Sequence, residues 1–222
     1  DDLVDGKPAV MVAMQAAFAR VRGKAPPDAS VTAIRGLEKR DALKVLLAEQ
    51  LGAGAGEPAA EAVDELYAAF KEELDRCLPR INAELRGSSE TFCALQAAGI
   101  RVAVGSGFPQ ATVEAIVAAL GWGAGLVDHV FSSEALGHGR PHPVMVHAAM
   151  RAAGVEDPRA VIKVGDTVVD VEEGKAAGVL TVSVLTGTQG REKLEAAGPD
   201  LVLPSVAELP AALGLAPAAA AL

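Results

Sequence analysis

The sequence predicts an α/β protein, a doubly wound parallel sheet with an inserted α-helical cap, and three observations carry that expectation. From about residue 88 onward, short apolar runs alternate with helical patterns, the grammar of right-handed strand–helix–strand crossovers. From residue 9 to about 86 only helical spacing is found, so that stretch reads as a separate helical unit placed ahead of the sheet. Finally, Val161 to Gly178 reads as a buried strand that runs into an acid, Asp166, and then into a helix. In that helix Asp170, Glu172 and Glu173 occupy the first turns, where the helix dipole favours negative charge, and Gly178 ends it.

The elements follow in order. Residues 1–8 read as a polar loop, the start of a linker between core and cap. Val10, Met14, Ala17, Phe18 and Val21 space a helix over 9–22, and a Pro-rich break covers 23–28. A short segment from Ser30 ends near Gly36; a helix over 37–51 then closes on a Gly/Ala linker at 52–56. The stretch 61–85 reads as one long helix with Val63, Leu66, Tyr67, Phe70 and Leu74 on one face, kinked or divided at Pro79. The helical domain is therefore expected over 9–86 and the sheet domain over 87–215, with 216–222 a disordered tail. In the sheet domain strands are expected at 100–105, 129–132, 160–165, 180–184 and 200–203. Helices are expected at 89–98, 109–120, 142–153, 167–177, 190–197 and 205–213.

Composition narrows the function. The chain has 222 residues, a formal net charge of -9 and only 3% aromatic residues. That charge disfavours nucleic acid and anionic membrane surfaces as partners. No apolar run reaches the length of a membrane span, and Cys77 and Cys93 make no disulfide framework, so a reducing cytoplasm is expected. The Val63/Leu66/Phe70 stripe is one that another subunit could cover in a homodimer through the cap, or that the cap itself could bury.

Three strand ends carry candidate chemistry. Ser106 and Gly107 follow a strand and precede Pro109 at a helix start, offering a hydroxyl and backbone N–H groups to a phosphoryl oxygen. Arg140 stands in Gly137-His138-Gly139-Arg140-Pro141-His142-Pro143, a cation held between glycine and proline just before a helix. Asp166 and Asp170 put two carboxylates beside one crevice at a strand's carboxyl end, where open α/β sheets bind ligands; such a pair suits Mg²⁺. Hydroxyl, cation and metal-binding carboxylate together are what phosphoryl transfer requires. His138, His142 and His147 lack the tight pairing of a zinc site.

Taken together, Ser106-Gly107, Gly139-Arg140-Pro141 and Gly165-Asp166-Thr167-Val168-Val169-Asp170 resemble motifs of the haloacid dehalogenase superfamily of phosphohydrolases. Lys163-Val164-Gly165-Asp166-Thr167, Arg140-Pro141-x-Pro143 and Val184-Leu185-Thr186-Gly187 resemble its phosphonatase-like branch. The resemblance implies a Rossmann-like core with a helical cap, and hydrolysis of a small phosphorylated or phosphonate metabolite with Mg²⁺. It further implies that Ser106 binds the phosphoryl group, Arg140 stabilises its charge, and Asp166 ligates the metal with Asp170 as support or additional ligand. In the cap, Arg35-Gly36-Leu37-Glu38-Lys39 resembles the phosphonatase Met-Gly-x-x-Lys motif, whose lysine forms a Schiff base with phosphonoacetaldehyde. By that resemblance Gly36 and Lys39 contact substrate, and Lys39 is the candidate Schiff-base residue. Arg35 replaces the family's Met, and Ala42 stands where phosphonatases have a histidine; residues 38–41 also read as a solvated helix face.

One part is absent. The superfamily's nucleophile lies in an Asp-x-Asp/Ala-Gly-Thr-Thr motif at the end of a core strand, and no such motif occurs in these 222 residues. Asp5-Gly6 has no apolar strand before it and does not qualify. The chain as it stands is expected to be inactive, with the neighbours of that strand left as unpaired edges. An upstream extension by one strand and the motif is expected to restore turnover. The alternatives are a non-catalytic phosphate- or metal-binding protein of the same fold, or a phosphoglycolate-type phosphomonoesterase.

Overall fold

The computed structural model describes residues 3–4, 7–78, 83–123 and 125–215. The chain forms two compact units, residues 1–83 and 84–222.

The N-terminal unit opens with a two-stranded antiparallel ladder, β1 (Leu3–Val4) against β2 (Lys7–Pro8), where a polar loop was expected. Asp5 and Gly6 lie outside the described residues. Helices α1 (Ala9–Arg22), α2 (Asp28–Ala33), α3 (Lys39–Leu51) and α4 (Ala60–Cys77) follow. Both α1 and α3 pack against α4. Met14 and Phe18 of α1, Leu43, Leu46 and Leu47 of α3, and Leu66, Phe70 and Leu74 of α4 are fully buried, and each such side chain contributes about 1.5–3 kcal/mol. Of the two expectations for the Val63/Leu66/Phe70 stripe, burial within the cap is the one seen: all three side chains are buried inside the chain. The long helix also ends earlier than its periodicity suggested, at Cys77; Pro79 lies outside the described residues.

The C-terminal unit alternates helix and strand. Its order is α5 (Ser88–Ala97), β3 (Ala103–Ser106), α6 (Gln110–Ala119), β4 (His129–Ser132), α7 (Ser133–Leu136), α8 (Val144–Ala153), β5 (Ile162–Gly165), α9 (Val168–Ala177), β6 (Leu180–Val184), α10 (Arg191–Ala196), β7 (Leu201–Leu203) and α11 (Leu209–Ala212). All its strand pairs are parallel, in two sheets: β3 with β4, and β5-β6-β7. Among the described residues β3 pairs only with β4, and β5 only with β6, so each keeps one edge without a strand partner.

One apolar cluster joins the two sheets. Leu95 of α5 and Leu209 of α11 pack with Val102, Val127, Val182, Val184 and Leu203, and Val104, Val130, Ile162 and Val164 lie against them. Alternation along a strand sends every second residue to the other face. On β5, Ile162 and Val164 therefore join the cluster while Lys163 reaches α9 on the opposite side. Helices thus cover both faces, the doubly wound arrangement the sequence predicts. Strand β3 starts at Ala103 instead of residue 100, because the Asp128 carboxylate takes the Val102 N–H at 2.7 Å and the Asp128 N–H returns to the Val102 carbonyl at 2.8 Å.

Candidate active site

The carboxyl end of β5 holds a buried network of charge. Thr167 precedes α9, and its N–H (3.2 Å) and hydroxyl (2.5 Å) both donate to Asp170 Oδ2. Asp170 Oδ1 accepts from Arg140 Nη1 at 2.6 Å and lies 3.1 Å from Lys163 Nζ. Lys163 Nζ is also 2.7 Å from Glu173 Oε2. That last contact is ionic without directed hydrogen-bond geometry, since neither Glu173 oxygen accepts a hydrogen bond. Arg140 and Lys163 are each 14% exposed, Asp170 3% and Glu173 0%. Two cations and two anions cancel, which is the condition for keeping such groups out of water.

Gly165 admits this arrangement because a Cβ there would collide with the Asp170 side chain. Burial alone would push the Asp170 carboxyl up; the charges of Arg140 and Lys163, with the Thr167 hydroxyl, override it and hold the group far below the usual carboxylate range. Burial likewise opposes the Arg140 charge. Asp170, Glu173 and Asp166 outweigh it and hold the guanidinium more firmly protonated than usual. The Arg140–Pro141 peptide is cis.

Asp166 sits between β5 and α9, half-buried. Its Oδ2 accepts the Thr188 N–H at 3.0 Å and the Thr188 hydroxyl at 3.3 Å, both from the loop after β6. From that loop Gln189 Oε1 also accepts the Val168 N–H, at 2.9 Å, satisfying a donor of the first turn of α9.

Ser106 is the last residue of β3, in register with Ser132 of β4. Its Oγ accepts the Phe108 N–H at 3.2 Å, which leaves its proton to donate elsewhere. The turn is braced from β4: the buried Ser132 hydroxyl donates to the Phe108 carbonyl at 2.6 Å and accepts the Glu134 N–H at 3.2 Å, starting α7. Gly107, buried, lies within this braced turn.

The structure thus brings Arg140, Asp166 and Asp170 into one electrostatic group, with Ser106 and Gly107 at the carboxyl end of the other sheet of the same unit. Gly36 and Lys39 belong to the N-terminal unit. Glu38 and Lys39 are buried, unlike a solvated helix face, whereas Arg40 and Asp41 are exposed. The Glu38 carboxylate accepts the Arg40 and Asp41 N–H groups at the start of α3, and Lys39 Nζ lies 3.4 Å from the Leu37 carbonyl. Arg40 turns to Asp64 and to the Tyr67 ring, 5.3 Å from its centroid.

Among the described residues no three His, Cys, Asp or Glu side chains gather into a metal cluster. The residues still fit magnesium, which holds most of its waters and takes one or two carboxylates with substrate oxygens. Asp166 has one oxygen tied down and a second that accepts no hydrogen bond from a described residue. Asp170 has both oxygens engaged by protein groups.

Sequence reasoning placed Glu173 only as a helix-start acid and Lys163 only within a motif, without their charge network, and missed Ser132. Lys163 had a signal, as a lone charge inside an apolar strand; Ser132, followed two residues on by Glu134, is a weak helix-start pattern.

The parallel α/β unit thus carries Ser106 and Asp166 at the ends of β3 and β5 and Arg140 in the loop between α7 and α8, an arrangement of the α/β proteins that bind ligands at the carboxyl ends of their strands. The sequence model of the haloacid dehalogenase-like hydrolases matches residues 3–178, and the chain belongs to that family. It is 28% identical over 174 residues to a phosphonoacetaldehyde hydrolase of Parabacteroides distasonis, covering 68% of this chain and 66% of that one. A phosphonoacetaldehyde hydrolase of Pseudomonas fluorescens is 31% identical over 127 residues, 57% of this chain and 46% of its own. The match thus spans about two thirds of the first relative's length and under half of the second's. Among solved structures, a phosphonoacetaldehyde hydrolase-like protein from Oleispira antarctica superposes with a TM-score of 0.83 at 23% identity, over 93% of this chain and 85% of that one. A haloacid dehalogenase family hydrolase from Deinococcus radiodurans with bound phosphate and sodium gives 0.63 at 26% identity, over 95% and 91%.

Proposed function

We propose that this chain is the body of a phosphonatase-like hydrolase that releases phosphate from a small phosphorylated or phosphonate metabolite with Mg²⁺. The observation that carries the reading is the fixed Arg140–Asp170 pair beside Asp166 at the carboxyl end of β5. Arg140 spends one N–H on Asp170 and keeps its charge and remaining donors for phosphoryl oxygens. Ser106, with its hydroxyl proton uncommitted, and the Gly107 N–H hold the phosphoryl group in position. Asp166 would hold the magnesium; when bound, the ion neutralises charge on the transferring group. Asp170 acts as support, orienting Arg140, because both of its oxygens are already engaged.

Attack on phosphorus needs a carboxylate nucleophile, and the sequence contains no Asp-x-Asp/Ala-Gly-Thr-Thr motif. The single-sided pairing of β3 and β5 supports the reading that a further parallel strand, bearing that aspartate at its carboxyl end, belongs between them. Without it the chain is expected to bind and not to turn over; the absence of the motif from the sequence also favours a non-catalytic phosphate-binding role. The names of the curated relatives, and burial of Lys39, favour carbon–phosphorus over ester cleavage: an iminium on Lys39 would supply the electron sink on the carbon side. No helix among the described residues is long and apolar enough to cross a membrane.

The test is a version of the protein with a strand and Asp-x-Ala-Gly-Thr-Thr added ahead of Asp1, assayed for phosphate release from phosphonoacetaldehyde, beside one with Asp in place of that Ala to protonate an alcohol leaving group, assayed with phosphoglycolate. Arg140→Ala in the first version is expected to lower kcat/KM by about 10²–10³, and an unchanged value sinks the assignment. Borohydride with the aldehyde substrate is expected to trap an adduct on Lys39; its absence, with ester hydrolysis present, moves the substrate to phosphomonoesters.

A further inference from the structure

We infer that Gly187 and Thr188, in the loop after β6, are positioning residues that aim the Asp166 carboxylate at a divalent cation. The inference rests on the reading of Asp166 as the metal-binding acid and goes beyond it by assigning what holds that acid.

Two kinds of contact fix the carboxylate. Thr188 gives both of its donors, N–H at 3.0 Å and hydroxyl at 3.3 Å, to the same oxygen, Oδ2. An oxygen that already accepts two hydrogen bonds has little remaining lone-pair density to offer a cation. The carboxylate plane is thereby set, and Oδ1, which accepts nothing from a described residue, is the oxygen presented. The second contact is steric. The loop backbone at Gly187 lies so close to Asp166 that a Cβ at that position would collide with the Asp166 Cβ, Cγ and Oδ2. Gly187 is not in the left-handed region, so its need is for space and not for backbone freedom. An alanine there can be accommodated only by moving the carboxylate or the loop.

The same loop is tied to the helix that carries the rest of the charge network, through Gln189 Oε1 and the Val168 N–H at 2.9 Å. One short segment therefore holds the metal-binding acid and the first turn of α9 in a common frame. Outer partners of this kind orient a ligand before the ion arrives, and their removal typically lowers metal affinity 10- to 100-fold.

The experiment uses the 222-residue chain and Mn²⁺ alone as the probe, with free Mn²⁺ read by electron paramagnetic resonance and the melting temperature taken for each variant. Mn²⁺ bound by the unaltered chain is expected to be lost in Asp166→Asn. Gly187→Ala and Thr188→Val are expected to weaken binding by about tenfold or more, while Thr188→Ser stays within about twofold because it keeps both donors. Thr188 is exposed, so its variants are expected to move the melting temperature by no more than about 2 °C, and Gly187→Ala, which displaces the loop or the carboxylate, by less than about 5 °C. Wild-type affinity in Gly187→Ala and Thr188→Val, with binding lost in Asp166→Asn, overturns the positioning role and leaves the metal-binding acid standing. Equal binding, or none, in the unaltered chain and Asp166→Asn overturns the metal reading and this inference with it. Weakening that Thr188→Ser shares, with melting lowered by about 5 °C or more, assigns the loop to stability alone.

Discussion

Lys163 lies largely shielded between Asp170 and Glu173, and replacing it with Met leaves the two carboxylates with Arg140 as the one nearby cation among the described residues. Stranding a buried charge costs about 3–5 kcal/mol, so Lys163→Met is expected to lose about that much stability in urea unfolding at pH 7. Lys163→Met with Glu173→Leu is expected to recover most of it, since an apolar pair of similar volume replaces a buried ion pair at little or no net cost. Failure of the double variant to recover would show that Lys163 acts chiefly through Asp170.

Trp122 gives a second test at this scale. Its Nε1 donates to Glu84 Oε2 at 2.8 Å and to Ser89 Oγ at 3.2 Å, and its ring meets Phe92 edge-on at 5.0 Å. The Ser89 hydroxyl first, and the indole N–H second, hold the Glu84 carboxyl below its usual range against the effect of burial. A carboxyl depressed in the folded state stabilises above its unfolded pKa, and that contribution disappears as pH falls through the folded value. Trp122, the single tryptophan of the chain, is therefore expected to keep constant emission from pH 7 to about 5 and to change below about 4.3. Glu84→Gln should flatten that change; a midpoint at or above the ordinary glutamate value contradicts the contact.

At the scale of elements, β5 and α9 are held together by close approach as well as by charge. A Cβ on Gly174 would stand 2.5 Å from Thr181 Cγ2 and 3.1 Å from Lys163 Cβ. Gly174→Ala should force α9 away from β5 and β6 and cost about 1–3 kcal/mol, read as a shift in denaturation midpoint at constant slope. These two elements were also the most legible in the sequence: an apolar run, a terminating glycine and an acid-rich helix start are local signals. The misplaced boundaries have non-local causes. The start of β3 is decided by Asp128, remote in sequence from Val102. Helix α7 is a single turn that Ser132 begins while it braces the Ser106 turn. Ser106 and Asp166 could be named from their strand-end positions and Arg140 from its glycine- and proline-flanked loop, whereas Thr188 could not, because its meaning lies in an approach across 22 residues.

At the scale of the molecule, two compact units carry different parts of the proposed chemistry: the candidate Lys39 in one, the phosphoryl-binding corner in the other. Helix-only periodicity against strand–helix alternation separated them in the sequence. No local signal in the sequence marks the division of the parallel strands into two sheets; the proposed nucleophile-bearing strand is what would pair with the free edges of β3 and β5. Phosphate release from phosphonoacetaldehyde by the 222-residue chain and by the strand-bearing version, measured side by side with Mg²⁺, tests the central claim most directly. No release above the buffer blank is expected from the first. Turnover that Asp166→Asn abolishes is expected from the second. Turnover by the 222-residue chain, or a strand-bearing version that stays inactive or is indifferent to Asp166→Asn, would contradict it.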